Sequence, residues 1–147
     1  MLDLFAGSGA LGIEALSRGA AHATFVEDSP QALAVVEANV VACGLEERST
    51  LVRADALTFL RQNPSEYDLA LADPPYSFTQ WEQLLGALSS AVVVIESDRQ
   101  ILDPRGYSEF GAVTYEVIRE RRYGNTVVTI AVSRRRDDHG GRTEGRQ

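Results

Sequence analysis

Apolar and polar positions follow two different periods along the first two thirds of the chain. Short apolar runs have the length and content of buried strands, at 1–4, 23–27, 50–53, 67–72 and 91–96. Segments with helical spacing lie between or after these runs, at 11–18, 30–42, 56–62 and 80–88. Ser29, Asp55 and Thr79 occupy the N-cap positions of the last three segments. This alternation is typical of an α/β fold with a mostly parallel sheet.

The pattern changes in the last third of the chain. A stretch with proline and glycine, 102–111, precedes two longer β-rich runs at 113–121 and 126–133, with Arg122-Tyr123-Gly124-Asn125 between them. These runs predict an antiparallel hairpin at the sheet edge, which brings the predicted sheet to seven strands. Residues 134–147 are polar and aperiodic, so we expect a disordered tail after a single domain that spans residues 1–133.

Composition limits the class of protein. With 147 residues, 44% of them hydrophobic, the chain is long enough for one core. It has neither the run of about 20 apolar residues that a membrane-spanning helix needs nor the order of a signal peptide, so we expect a cytoplasmic protein that does not bind membranes. The lone Cys43 and two histidines offer neither a disulfide nor a structural zinc set, and no metal site is predicted.

Charge is unevenly distributed along the chain. The formal net charge is −7, and five of the 14 basic residues, all arginines, lie in 134–147. Residues 1–133 therefore hold nine arginines against eighteen acids. Nucleic-acid-binding domains usually present a basic face, so this body either does not bind nucleic acid by its own surface or borrows positive charge from another segment. Arg119, Arg121 and Arg122, before the hairpin turn, suit phosphate contact and a solvated strand edge equally well.

The densest candidate motif follows the first predicted strand. Gly7, Gly9 and Gly12 form G-x-G-x-x-G before the first helix, where glycines permit a tight turn, close ligand approach and helix packing. That pattern alone suits a dinucleotide as well as any other ligand. Asp3, just before the loop, would repel a pyrophosphate and attract an ammonium group. It therefore favours S-adenosylmethionine, which carries an ammonium and a sulfonium, over the alternative of a glycine turn with no ligand.

Acids also follow the second and third predicted strands. Glu27 closes the second strand 20 positions after Gly7, where an acid accepts both ribose hydroxyls of an adenosine, and Asp28 follows it. A solvated turn residue is the alternative at this position. Asp55 and Ala56, after the third strand, are predicted beside the adenine edge. Asp55 is also a good helix N-cap, and the two roles are compatible.

The second candidate motif, Asp73-Pro74-Pro75-Tyr76, ends the fourth predicted strand. The prolines fix the backbone so that its carbonyls point into the crevice, and Tyr76 offers a stacking face. The exocyclic amine of a nucleobase is a poor nucleophile because its lone pair is delocalised into the ring. The Asp73 side chain and the Pro74 carbonyl can hold the amine hydrogens so that the lone pair faces a methyl donor. A simple proline turn is the alternative.

The two motifs carry a resemblance to known enzymes. D-x-x-A-G-S-G, from Asp3 to Gly9, resembles motif I of class I methyltransferases, and D-P-P-Y resembles motif IV of those that act on adenine N6, cytosine N4, guanine N2 or a glutamine amide. The chain as a whole is similar to the RsmD family, bacterial 16S ribosomal RNA (guanine-N2)-methyltransferases. The similarity covers most of residues 1–133 and is carried by segments 3–20, 25–27, 71–76, 94–96 and 123–126.

The resemblance implies a Rossmann-like class I methyltransferase fold and an activity. The cofactor would be S-adenosylmethionine, the substrate 16S rRNA or a small-subunit ribosomal particle, and the protein a monomer. Together with the motifs, it predicts a catalytic loop and a cofactor site. The catalytic residues are Asp73, Pro74, Pro75 and Tyr76. The cofactor-binding residues are Asp3, Phe5, Ala6, Gly7, Gly9, Glu27, Asp28, Asp55 and Ala56.

Other functions remain open at this point. A DNA adenine-N6 methyltransferase or a protein glutamine methyltransferase would use the same motifs. Members of the RsmD family carry an Arg-rich segment before motif I that contributes to RNA binding, whereas this sequence begins at the strand of motif I. We therefore expect an N-terminal truncation, with weak RNA binding, and an inactive fragment that binds the cofactor is the third alternative.

Overall fold

One eight-stranded sheet organises residues 1–136, the part of the chain that the computed structural model describes. In chain order the strands are β1 (Leu2–Leu4), β2 (Ala23–Glu27), β3 (Ser49–Arg53), β4 (Tyr67–Ala72), β5 (Ser90–Ser97), β6 (Tyr107–Phe110), β7 (Val113–Tyr123) and β8 (Thr126–Arg135). The helices are α1 (Ala10–Ser17), α2 (Pro30–Ala42), α3 (Ala56–Gln62) and α4 (Trp81–Ala87). Across the sheet the order is β3-β2-β1-β4-β5-β8-β7-β6. The predicted α/β fold with a mostly parallel sheet is confirmed.

The order of the parallel strands sets the position of the crevice. β1 pairs in parallel with β2 on one side and with β4 on the other. The chain therefore winds outward from β1 to β3, returns to β4, and continues in the opposite direction. Open parallel sheets bind ligands at the carboxyl ends of strands where the order reverses in this way. The loops after β1, β2, β3 and β4 meet at that edge.

Helix starts follow the sequence signals in two of three cases. Ser29 Oγ accepts a hydrogen bond from the Ala32 amide at 3.2 Å, and Asp55 Oδ2 accepts one from the Thr58 amide at 3.0 Å. The predicted N-cap Thr79 is wrong, because α4 begins at Trp81 and no side chain caps it. Trp81, the first residue of the helix, packs edge-on against Phe78 at 5.3 Å between ring centroids, a tertiary contact that the local sequence does not reveal.

The C-terminal part of the sheet is larger than predicted. The hairpin of β7 and β8 forms as expected, but β8 pairs with β5 and β6 adds outside β7. The sheet therefore has eight strands rather than seven, and its edge is β6 rather than the hairpin. The sequence pattern did not predict β6, because its four residues lie between Gly106 and Gly111 in a stretch that has the composition of a loop.

The last strand also runs past its predicted end at residue 133. β8 continues to Arg135, two residues beyond residue 133, and the Arg136 amide donates to the Ala112 carbonyl at 2.8 Å. Pairing with β7 holds these residues in the sheet despite their polar side chains. The remainder of the predicted tail, 137–147, lies outside the described residues.

Apolar clusters lie on both faces of the sheet. The larger cluster joins α3 and α4 to the strands, and the smaller one joins α1 and α2. Phe25 and Val26 are neighbours on β2 but belong to different clusters, as alternation along a strand requires. In the larger cluster the buried Tyr115 hydroxyl donates to the Leu85 carbonyl at 2.8 Å. None of the helices described in residues 1–136 is long and apolar enough to cross a membrane.

Candidate active site

A cleft of about 760 Å³ opens at the carboxyl ends of β1 and β4. Eleven of the thirteen predicted site residues line it: Asp3, Phe5, Ala6, Gly7, Glu27, Asp28, Asp55, Asp73, Pro74, Pro75 and Tyr76. Six further residues that sequence reasoning missed complete the lining: Ser8, Ala10, Leu11, Ser77, Phe78 and Gln80. Both predicted motifs therefore face one cavity, whose volume lies within the range of about 300–1,000 Å³ typical of small-molecule sites.

The two remaining predicted residues, Gly9 and Ala56, do not line the cleft. Gly9 precedes α1 with φ +79°, and a Cβ there would stand 3.0 Å from Val36 Cγ1. It lets the loop pack against α2 instead of facing the cavity. Ala56 is the first residue of α3 and is buried in the larger apolar cluster. A site residue was predicted at each position because motif spacing does not reveal which way a residue faces.

Gly12, the third glycine of the loop, is fixed by packing. A Cβ at this position would stand 2.3 Å from Phe25 Cε1 and 2.9 Å from Asp3 Oδ2. Gly7 is different, because a Cβ there would meet only the Phe5 carbonyl, at 4.0 Å, and its constraint is a φ of +58°. The loop therefore needs glycine at position 12 to seat α1 on the sheet and at position 7 to turn.

Asp3 is a buried acid without a cation. Its side chain is 2% exposed, and Oδ2 accepts a hydrogen bond from the Gly12 amide at 3.1 Å. Burial raises the pKa of Asp3 to about 7, the Gly12 bond opposes that rise, and the charges of Asp73 and Glu27 add to it. Within residues 1–136 the ion pairs lie elsewhere, at Arg18–Glu14, Arg99–Asp98 and Arg136–Glu109. The cleft thus holds negative charge that the described chain does not neutralise.

Glu27 occupies the amides of the glycine loop and of the following turn. Its Oε1 accepts a hydrogen bond from the Gly7 amide at 3.0 Å, and its Oε2 accepts one from the Ser29 amide at 2.9 Å. The hydrogen bond with Glu27 raises the pKa of the adjacent Asp28, and burial and nearby acids add to the effect. Because the Gly7 amide already binds a carboxylate, it is not free to hold a pyrophosphate. This arrangement disfavours the dinucleotide alternative.

The D-P-P-Y loop adds an acid and a ring to the same cleft, after β4, the strand next to β1. Partial burial raises the pKa of Asp73 to about 6, and the charge of Glu96 on β5 adds to that rise. Pro74 is buried, whereas Tyr76 is 50% exposed. The Tyr76 hydroxyl and Thr126 Oγ1, at the hairpin turn, are 2.8 Å apart and share a hydrogen bond. The ring is therefore held at the mouth of the cleft with a face open to solvent.

Arg99 and the packed rings of Phe78 and Phe5 hold the D-P-P-Y loop in position. The Arg99 guanidinium donates to the Phe78 carbonyl at 2.8 Å and to the Tyr76 carbonyl at 3.4 Å. Phe78 packs edge-on against Phe5 at 5.2 Å, which ties the D-P-P-Y loop to the glycine loop. Phe5 adopts a φ of +58°, a strained conformation for a residue with a side chain. An aromatic residue two positions after Tyr76 was visible in the sequence, whereas nothing local pointed to Arg99.

Comparisons with known proteins agree with this geometry. The family model described as Conserved hypothetical protein 95 matches residues 1–132. Ribosomal RNA small subunit methyltransferase D of Haemophilus influenzae is 31% identical over 137 residues, which cover 84% of this chain and 70% of that relative. The chain belongs to the RsmD family. The predicted family and its class I methyltransferase fold are therefore confirmed, with the strand count corrected to eight.

A second relative and a solved structure show how far the similarity extends. The protein of the same name from Escherichia coli (strain K12) is 34% identical over 104 residues, covering 66% of this chain and 52% of that relative. A solved structure from Streptococcus pyogenes, described as a conserved hypothetical protein, is 36% identical with a TM-score of 0.75. That alignment covers 89% of this chain and 83% of that one. The similarity to that structure thus extends over most of this chain.

Proposed function

We propose that this RsmD-family protein transfers the methyl group of S-adenosylmethionine to the exocyclic N2 amine of a guanine in 16S rRNA. The observation that carries the proposal is that buried Asp3 and the D-P-P-Y loop line one cavity at the carboxyl ends of the adjacent strands β1 and β4. Asp3 suits a cationic cofactor and the loop a planar amine. The names of the Haemophilus influenzae and Escherichia coli relatives support a small-subunit rRNA substrate.

The residues of the cleft fit this cofactor. Asp3 would hold the ammonium group, because an uncompensated buried carboxylate gains most from a cation. Glu27 and Asp28 would accept from the ribose hydroxyls, since each carboxylate oxygen of Glu27 retains a lone pair beyond its backbone hydrogen bond. Asp55 would lie at the adenine edge while it caps α3. When bound, the cofactor supplies an electrophilic methyl group on a sulfonium.

Asp73 and Pro74 would prepare the target amine. The carboxylate of Asp73 and the carbonyl of Pro74 accept its two hydrogens and so turn its lone pair toward the methyl donor. The amine becomes cationic as it accepts the methyl group and must lose a proton. An Asp73 carboxylate with a pKa of about 6 is a stronger base than an ordinary aspartate and can take that proton at Oδ. The exposed Tyr76 ring would stack on the guanine.

The test is a methylation assay with the full chain and isotopically labelled S-adenosylmethionine. Small-subunit particles and 16S rRNA from cells without this gene are the substrates, and digested products are analysed by mass spectrometry. We expect labelled N2-methylguanosine, and none with Asp73→Ala, whose cofactor affinity serves as the folding control. Labelled N6-methyladenine in DNA, or labelled methylglutamine in protein, would replace the proposal with one of the alternatives. Cofactor binding without any labelled product would favour an inactive fragment.

A further inference from the structure

The tip of the β7–β8 hairpin lies beside the mouth of the cleft. β8 runs antiparallel to β5 with Val127 opposite Ser97, so the turn of the hairpin stands at the carboxyl edge of the parallel strands. Thr126, the first residue after that turn, shares the 2.8 Å hydrogen bond with the Tyr76 hydroxyl. A contact between residues 50 positions apart therefore sets where the tip stands relative to the D-P-P-Y loop.

Strand register places three exposed side chains on one face of this tip. Tyr123 pairs directly with Thr126, and paired residues project from the same face. Arg121 and Arg119 precede Tyr123 by two and four positions, so they project from that face as well. The irregularity of β7 between Val117 and Arg119 lies outside this span. We call Arg119, Arg121 and Tyr123 the hairpin face; all three are exposed, Tyr123 at 65%.

The arginines of the hairpin face have no anionic partner among residues 1–136. Neither Arg119 nor Arg121 belongs to an ion pair there. Glu120 lies between them in sequence, but it turns to the other face, where it accepts a hydrogen bond from the buried Thr129 hydroxyl at 3.3 Å. Glu96 is on the same face as the arginines, with a residue of β8 between the strands. Two cations without an ion-pair partner among these residues therefore lie on β7, near the turn whose Thr126 contacts the cleft residue Tyr76.

We propose that the hairpin face is an RNA-binding surface. Arg119 and Arg121 bind phosphates next to the target nucleotide, and the Tyr123 ring stacks on a neighbouring unpaired base. This inference rests on the proposed function, because the bound RNA is the substrate of the same cleft. RNA fits better than a protein partner since phosphate contact by arginine, together with an exposed aromatic ring, is how proteins bind single-stranded RNA.

The position of this surface suits its role in a protein with an acidic body. Residues 1–133 carry twice as many acids as arginines, so their long-range field repels phosphate. Positive charge must therefore be placed locally, where the backbone of the substrate passes. Phosphate contacts fix the register of a nucleic acid on a protein. The hydrogen bond between Thr126 and Tyr76 then relates that register to the ring that would stack on the base.

The experiment compares two double variants of the full chain. Arg119→Ala/Arg121→Ala removes both cations of the hairpin face. Arg18→Ala/Arg61→Ala removes the same charge from the ends of α1 and α3, helices that run away from the crevice. Binding of 16S rRNA is measured over a potassium chloride series, with cofactor affinity as the folding control. We expect the hairpin variant to bind about tenfold more weakly at low salt, with the slope of log K against log [salt] smaller by about 1–2.

Tyr123→Ala provides a second, independent measurement. Stacking is not a counterion effect, so this variant should lose roughly fivefold in rRNA affinity while the salt slope stays that of the wild type. Equal losses in the two double variants would overturn the proposal, because they would reflect net charge alone. A wild-type protein that does not bind 16S rRNA would also overturn it. The proposal would also be overturned if the hairpin variant bound naked rRNA normally but ribosomal particles weakly. That result would indicate that the hairpin face contacts a ribosomal protein and not RNA.

The assay also separates this inference from the proposed function. If the wild type forms N2-methylguanosine but the two double variants bind rRNA with the same affinity, the RNA-binding role of the hairpin face is overturned and the proposed function is retained. If rRNA binding falls only in the hairpin variant while the labelled product appears in DNA or protein, the surface stands and the proposed substrate is overturned.

Discussion

At the scale of single residues, the charge of Asp3 has opposite effects on two quantities: it lowers the stability of the unliganded protein and strengthens cofactor binding. Its folded-state pKa of about 7 exceeds its ordinary value of 3.8, so the ionised form destabilises the unliganded protein above neutral pH. Asp3→Asn keeps an acceptor for the Gly12 amide but removes the charge. At pH 8 we expect the unliganded variant to be more stable by about 2–4 kcal/mol and to bind S-adenosylmethionine at least tenfold more weakly.

Denaturant unfolding and calorimetry measure the two effects. Asp68→Asn, at an exposed position on β4, is the matched control and should change neither quantity. An Asp3→Asn protein that is less stable at pH 8, or that binds the cofactor normally, would remove Asp3 from the cofactor site.

The raised pKa of Asp73 predicts where activity falls on the acid side of the pH–rate profile. With saturating S-adenosylmethionine, which keeps Asp3 ionised, kcat/KM for the RNA should fall as pH falls through about 6, because protonated Asp73 cannot accept from the amine. Since the charge of Glu96 contributes to that rise, Glu96→Gln should move the limb to lower pH with its plateau unchanged. A limb that stays in place in Glu96→Gln would show that another group controls it.

At the scale of elements, the D-P-P-Y loop is held by Arg99, which lies just after β5. Arg99→Ala removes both guanidinium hydrogen bonds to the Tyr76 and Phe78 carbonyls. We expect kcat to fall roughly tenfold, with cofactor affinity changed less than threefold, because the loop loses its position and not its residues. Arg105→Ala, at an exposed loop position before β6, is the control. Equal kcat values in the two variants would contradict this assignment.

What the sequence predicted at this scale depended on the range of the interactions. Helices α2 and α3 and strands β2 and β4 have the predicted bounds, since apolar period and cap residues are local signals. The start of α4, the edge strand β6 and the end of β8 were misjudged, because packing or pairing with distant residues decides them. The contacts of Tyr76 with Thr126 and Arg99 were invisible for the same reason.

At the scale of the whole molecule, the acidic cleft makes stability depend on pH and ligand together. The folded chain holds protons on Asp3 and Asp73 up to pH values of about 7 and 6, whereas the unfolded chain releases them near 4. Stability from these two groups therefore falls as pH rises from about 4 to 7 and is constant above. A cationic ligand favours the ionised form, so its stabilising effect should grow over the same range.

Melting temperatures with and without S-adenosylmethionine, at pH 5 and pH 8, check this expectation. The ligand-induced rise should be larger at pH 8, and in Asp3→Asn it should be small at both values. A rise of the same size at both pH values in the wild type would show that the cleft acids do not face the ligand's charge.

The packing around Gly12 predicts which positions of the loop would be retained if a descendant of this protein lost its activity. A side chain at position 12 would collide with Phe25 whether or not a ligand is present, whereas position 7 opens onto space. Selection for a folded chain is therefore enough to retain Gly12, and the positive φ of Gly7 favours glycine there as well, whereas Asp73 needs selection for the reaction. In a descendant that had lost the activity, we expect substitutions to accumulate first at the ligand wall. Gly12 would be retained in such a descendant, because the fold requires it even when the reaction does not.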